Sequence, residues 1–411
     1  MCTATLLAHT GRRVLLAEKR RYLGGRFSTV NHDGYMCATG GLAVPVGRDM
    51  EEVCELVGIP SGVKRSTRVG MWLDGKVYDL AKGATRTIIR EVATDADEAK
   101  RVIDALNRAM KEERPPADIS FCDWLNQYTQ NPRIHGIFQA TISSLLTVNS
   151  YELPAAQYFK FIEVISPLTF GFIEGGSIAL WNRMADLIRA AGGDVWTSCA
   201  AEGIQVDKGR VCGVRIRKDR ESVDIRTPLV ISNVGPAGTV ALVEGDGLEP
   251  AYIERINRDM TPTAIMWLHF ASDELLMDYS AISVGCSRRV NMIDVPSFEA
   301  EGVAPPGKHL YTVGAAPKDS LNPGNIKAEL AEVIKDLHDI FPGFDERCTI
   351  LTKTCYRGKW PGFRTVPDKH VDHRTPIANL FNVGDAACPS GYDGSMGAAK
   401  SARLVFEEVT A

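Results

Sequence analysis

The chain has 411 residues, 45% of them apolar and 24% charged, with a formal net charge of −4. These proportions are ordinary for a soluble globular protein, and the length suits two or three domains' worth of core. The slight acid excess gives no basis for binding a nucleic-acid polyanion, and no run of about 18 apolar residues is present that could span a bilayer. A peripheral membrane contact through an apolar surface stays open, and the sequence leaves the oligomeric state undetermined. Ten cysteines fall at positions 2, 37, 54, 122, 199, 212, 286, 348, 355 and 388 without a C-x-x-C pair. That spacing argues against a zinc ribbon or redox dithiol and fits buried, reduced thiols in a cytoplasmic protein. No basic region followed by an apolar core opens the chain, so no secretory leader is expected.

Residues 1–9 are small and apolar and read as a short helix, ended by Gly11 as a C-cap. Residues 14–17 form a compact apolar strand that ends on Glu18. An amphipathic helix is expected over 95–113, with Ala99, Val102, Ile103, Leu106 and Met110 at helical spacing. Pro115-Pro116 stops it. Residues 122–170 stay largely helical and aromatic, as a cap or substrate region would. Gly175-Gly176 opens a helix with Trp181, Met184, Leu187, Ile188 and Ala191 on one face, and Gly192-Gly193 closes it. "DVWTS" reads as a strand. "EGIQVDKGRVCGVRI" reads as a hairpin about Asp207-Lys208-Gly209, and "TPLVISNVGP" as a buried strand. After a mixed stretch over 237–323 comes a helix with Ile326, Leu330, Val333, Ile334 and Leu337 on one side, capped by Asn325. The last block, "LFNVGDAACPSGYDGSMGAAKSARLVFEEV", reads as strand, glycine-rich loop and helix. Internal repeats and low-complexity segments are absent.

Five places carry chemistry. Glu18, at a strand end, has the position from which a carboxylate binds ribose hydroxyls, or it is an ordinary exposed acid. Gly24-Gly25 allows close backbone approach to a ligand, and Arg26 after it suits phosphate oxygens; a surface turn beside a basic patch reads the same way. "TGG" at 39–41 lets Gly40 and Gly41 press backbone against a flat ring, or forms a simple turn. The C-terminal block places Gly384 at a strand end and Asp385 at its tip. Gly391, Gly394 and Gly397 then lead into a helix whose free N–H groups suit an anion or an electron-rich ring edge. Tyr356, Lys359 and Trp360 suit a substrate pocket or a packed core equally. The basic run Arg12, Arg13, Lys19, Arg20, Arg21 reads as a solvated face, with Arg20 the exception. His370 and His373 lie near Asp368 and Asp372, but no third group fixes a metal geometry, so no metal is expected. Ser395 has no histidine beside it, which gives no support to a nucleophilic triad.

In order along nearly the whole chain, these motifs resemble the flavin-dependent amine oxidase superfamily, and within it the phytoene desaturase-like branch. Glu18 and Arg20 with Gly24-Gly25-Arg26 look like the family's acid-to-glycine-pair segment after the second strand. Gly175-Gly176, the passage through Ala201, "VISNVGP" and the C-terminal block resemble its later motifs. The resemblance implies FAD, with Ala201 near the adenine side. Asp385 would lie near the diphosphate and ribityl chain, and Gly394, Ser395 and Met396 at the pyrimidine end of the ring. It implies an α/β fold: a doubly wound, Rossmann-like FAD domain over 1–70, 171–240 and 346–411, with an inserted mixed α+β substrate domain over 71–170 and 241–345. The implied activity moves a hydride between flavin and an apolar, isoprenoid-like substrate, or oxidises an amine; no catalytic side chain is assigned. The alternatives are a flavin-free carrier of an apolar ligand on the same fold, or an inactive flavoprotein.

The departure is at the start. The family's first strand and G-x-G-x-x-G loop precede the helix that begins here at Met1, and the acid follows that loop by about 20 residues. The expectation is therefore that the 411-residue chain is unstable or holds FAD poorly, and that a form extended upstream by a strand and glycine loop holds it well. Visible flavin absorption that survives desalting of the extended form only would agree. Full FAD occupancy in a stable 411-residue chain would contradict it.

Overall fold

The computed structural model describes residues 1–80, 84–111, 113–166, 169–245 and 247–411. The expected helices over 95–113 and 122–170 include positions 112, 167 and 168, which lie outside the described residues. The N-terminal helix spans Cys2–His9 and buries Leu6 and Leu7. Gly11, at φ +84°, turns the chain out of it. The strand Leu15–Ala17 follows and pairs in parallel with Asp194–Trp196. A second parallel pair joins Val230–Ser232 to Leu380–Asn382, whose far edge carries a bridge from Arg374 to Phe381. Helices Cys2–His9, Ser177–Ala190 and Gly394–Thr410 supply Leu6, Leu180, Met184, Ala399 and Ala402 to one buried cluster. Among the described residues, Leu15–Ala17 and Val230–Ser232 each have one edge without a strand partner. Residues of both line a single cavity.

The passage read as one hairpin has three antiparallel strands, Ala200–Asp207, Arg210–Lys218 and Glu221–Arg226. Lys208 and Gly209 both take positive φ at its first turn, as a tight turn between right-twisted strands requires. The third strand was not singled out from the sequence: Val223 and Ile225 alternate with polar residues, but Glu221–Asp224 are all exposed and the alternation is only two residues deep.

The stretch over 237–323 builds most of a seven-stranded sheet. Its spatial order is Cys348–Tyr356, Ile265–Ser272, His309–Ala315, Val290–Asp294, Ala281–Gly285, Val69–Leu73 and Lys76–Asp79. All eight residues of Ile265–Ser272 are buried, the pattern of a strand covered on both faces. Alternate side chains point to opposite faces. Met266, Leu268 and Phe270 pack with Val333 and Leu337 of helix Ile326–Ile340, which Asn325 caps as expected. Trp267, Met292 and Asp294 instead line the cavity.

Helices Ala84–Val92, Ala96–Lys111, Phe121–Asn126, Pro132–Leu146 and Ala155–Ile165 form the cap. Phe121, fully buried, sits within 4.4–6.0 Å of the rings of Trp124, Phe138, Tyr158 and Phe159. Aromatic clusters of this kind add edge-on attraction to the area they bury. Phe121→Ala removes the ring common to all four contacts and should cost about 3–5 kcal/mol, read as a lower denaturant midpoint. An unchanged midpoint would show that the cap does not depend on this cluster.

Candidate functional site

A cavity of 1970 Å³ runs from the unpaired strand edges to the face of the seven-stranded sheet. That exceeds the roughly 300–1,000 Å³ of a drug-sized pocket, leaving room for an extended dinucleotide and a second molecule. Its wall includes Glu18, Gly24, Gly25, Arg26, Gly40, Gly41, Ala201, Gly384, Asp385, Gly394, Ser395 and Met396. Twelve of the thirteen residues expected from sequence therefore meet around one space. Arg20 is not on that wall; its guanidinium lies 4.3 Å over the Trp360 ring.

The strand Leu15–Ala17 delivers Glu18 to the cavity. Its carboxylate accepts the Arg20 N–H at 2.8 Å, closing a turn at the strand tip. Gly24 and Gly25 follow at φ +89° and +57°, in the left-handed region where a side chain is strained. A Cβ on Gly24 would fall 2.0 Å from Trp181 Nε1, whose N–H donates to the Phe27 carbonyl at 2.5 Å. That pressure fixes the direction in which Arg26 leaves the loop.

Arg26 then reaches across the fold. One of its nitrogens lies 2.5 Å from Asp385 Oδ1, and another donates to the Gly362 carbonyl at 2.6 Å. Asp385 Oδ2 accepts the Arg364 N–H at 3.0 Å. Burial works to raise the Asp385 pKa, but the charges of Arg26 and Arg364 outweigh it and hold the carboxyl below its ordinary value. Arg364 is pushed down to about 10, by burial first and then by Arg26. The backbone of Gly235 lies against the Arg364 side chain, where a Cβ would come within 2.5 Å of Cδ.

The helix Gly394–Thr410 begins at the cavity with Gly394 at φ +55°, and no side chain caps its first turn. Asp393, just before it, faces His370 at 3.0 Å. Burial opposes charge on both groups; the Asp393 carboxylate nevertheless keeps His370 above its ordinary value. His373 turns to Glu408 at 2.8 Å, so the two histidines serve different partners.

The Thr39–Gly41 turn is held from three sides. Thr39 Oγ1 donates to the Gly25 carbonyl at 2.8 Å. Trp360 Nε1 donates to the Thr39 carbonyl at 3.2 Å. A Cβ on Gly40 would meet the Arg26 carbonyl at 2.0 Å, so this glycine is required by the neighbouring backbone as well as by the cavity. The Ala38 N–H donates to His269 Nε2 at 3.0 Å, leaving the proton of the ring on Nδ1, which faces Thr352 Oγ1 at 2.7 Å. His269 was not singled out from sequence. It lies inside the apolar run "IMWLHFAS", where a histidine reads as core.

The family model for flavin containing amine oxidoreductases matches residues 1–410. The chain belongs to the flavin containing amine oxidoreductase family. Its fold is similar to that of an oxidoreductase from Methanosarcina mazei, with a TM-score of 0.87 at 23% identity over 99% of this chain and 97% of that one. An uncharacterized protein of Methanocaldococcus jannaschii is 23% identical over 402 residues, 93% of this chain and 90% of that protein. The all-trans-retinol 13,14-reductase of Rattus norvegicus is 44% identical over 65 residues, 16% of this chain and 11% of that enzyme. The family implies a flavin, and the residues present fit one. Arg26, the Arg364 guanidinium and an uncapped helix N-terminus give positive potential for a diphosphate. Gly24, Gly25 and Gly384 give bare backbone.

Burial holds His269 at a pKa of about 4, so unfolding takes up a proton between pH 6.5 and 4. Its contribution is complete above about 6.5 and is lost as pH falls toward 4. From pH 7 to 5 this amounts to about 2 kcal/mol. The fall in denaturant midpoint over that interval should be correspondingly smaller in His269→Gln. Identical slopes in the two proteins would show that His269 titrates normally.

Proposed function

We propose that the chain is an FAD-dependent oxidoreductase that moves a hydride between the flavin and an apolar, isoprenoid-like substrate, in a C–C desaturation, saturation or isomerisation. The observation that carries this reading is the character of the cavity beyond the Arg26–Asp385 pair. There the wall includes Leu42, Met71, Leu145, Phe161, Phe172 and Met292, which outweigh the hydroxyl groups and the one acid among them. Among the described residues lining that stretch, Asp294 is a single carboxylate, whereas a small polycationic amine would need an acid for each of its charges. The local similarity to a retinol reductase supports the same substrate class.

Arg26, Arg364 and the first turn of Gly394–Thr410 would hold the diphosphate, and Glu18 the adenosine ribose. Asp385 would take the ribityl hydroxyls, with its oxygens already oriented by Arg26 and Arg364 N–H. Gly40 and Gly41 would offer flat backbone to the ring. The flavin supplies the two-electron chemistry; the protein positions, desolvates and selects. The apolar wall excludes water from the reacting carbons, which favours hydride passage over leakage of electrons to solvent species.

The test is anaerobic mixing of the FAD-loaded protein with candidate donors, followed by visible flavin absorption. An isoprenoid should change the flavin spectrum, in oxidised or pre-reduced protein according to the direction of reaction, whereas putrescine should not. Bleaching by putrescine with no response to any isoprenoid would contradict the reading.

A further inference from the structure

The apolar part of the cavity is not uniformly apolar. Asp294 ends the strand Val290–Asp294, is 5% exposed and lines the cavity. Burial alone acts on its carboxyl, raising the pKa to about 7; no neighbouring charge or hydrogen bond is among the influences on it. Its cross-strand neighbours are Ala281 and Thr312, neither of them charged. On the helices packed against this part of the sheet, the titratable groups are engaged elsewhere. Arg133 pairs with Asp74, His135 with the Thr129 carbonyl, and Asp336 with Arg288 and the backbone N–H groups of residues 288–290. Glu299 binds Thr67. Two further cavity-lining groups also lack a partner among the described residues: the Trp267 indole N–H, 3% exposed, and the Ser66 hydroxyl, 9% exposed.

A buried polar group left without a partner costs about 1–3 kcal/mol, and more when charged. Water in an empty cavity can meet that need. A wholly hydrocarbon occupant would displace the water and restore the penalty at Asp294. An occupant that carries its own hydrogen-bonding end would not. Trp267 can only donate and a carboxylate can only accept, so the wall as a whole suits a ligand that offers both functions. A hydroxyl does; an ammonium, which cannot accept, does not.

We propose that Asp294 is the polar anchor of the substrate cavity, accepting a hydrogen bond from the hydroxyl of an otherwise apolar alcohol. This deepens the substrate class proposed above and rests on that reading. Trp267 and Ser66 supply secondary polar points on the same wall. The hydroxyl end fixes which carbons of the apolar body lie opposite the cofactor half, so Asp294 sets the position of reaction without touching the reacting atoms.

The probes are all-trans-retinol and its methyl ether, titrated by fluorescence into the full chain, Asp294→Val and Asp294→Asn at pH 6 and pH 8. Retinol should bind the unaltered chain about tenfold more tightly than the ether, the worth of a hydrogen bond to a charged group. It should tighten from pH 6 to 8 as the carboxylate forms, whereas the ether, which can only accept, should weaken. Asp294→Val should abolish the preference. Asp294→Asn should keep part of it and lose the pH dependence. Equal binding of both probes in all three proteins overturns the inference and leaves the apolar-substrate reading standing. Failure of both probes to bind the unaltered chain contradicts that reading, and the inference with it. The opposite pH trends within the unaltered chain decide the matter even where a variant fails to fold.

Discussion

The ion pair between Arg26 and Asp385 joins residues 359 positions apart. It closes one wall of the cavity from both ends of the chain. Arg26 arrives from a loop whose path is set by Gly24 against Trp181, and Asp385 from the tip of the strand Leu380–Asn382. Arg364 adds a second cation to the same carboxylate. Two cations thus face the single carboxylate of Asp385, with the buried Asp393–His370 pair close by, and around Asp385 itself the cations outnumber the anion. Unpaired buried charge is costly. The arrangement makes sense as a site whose last partner is an anionic ligand, and a flavin diphosphate has that chemistry.

From this point the cavity divides by polarity. Toward the two parallel strand pairs it is lined by bare backbone, basic side chains and a helix N-terminus. Toward the seven-stranded sheet it is lined mainly by aromatic, aliphatic and methionine side chains, interrupted by Asp294 and Ser66. The sheet is tied to the cofactor half by Ala38 N–H on His269 and by Trp360 on the Thr39 carbonyl. These bonds hold the Thr39–Gly41 turn between the two regions, where a ring bound against it would face the apolar space. A substrate in the apolar region would therefore meet a cofactor ring across a turn held by these hydrogen bonds.

Much of this was legible in the sequence, for local reasons. Gly24, Gly25 and Gly394 take backbone angles that only glycine adopts freely, so the glycines themselves announced the loops. The helix over Gly394–Thr410 and the cap at Asn325 follow from periodicity and capping chemistry. What was hidden was long-range. No spacing rule pairs Arg26 with Asp385, or shows that Gly40 is pressed by the Arg26 carbonyl. Nor does any spacing rule show that the Arg20 guanidinium stacks on the ring of Trp360, distant in sequence. Asp294 in "NMIDVP" is an unremarked acid at a strand end; only the sheet around it shows that it is buried and alone. The strand Glu221–Arg226 was missed because both its faces are largely wet.

The account's central claim is that the Arg26–Asp385–Arg364 cluster is the seat of the flavin diphosphate. The most direct measurement is the FAD affinity, by calorimetric titration, of the chain, Arg26→Met, Asp385→Asn and the double variant, with riboflavin as the ligand lacking phosphate. The account predicts that each single change weakens FAD at least tenfold, that the double variant loses little more than the weaker single, and that riboflavin is affected less by Arg26→Met than FAD is. FAD affinities that are equal in all four proteins would contradict it.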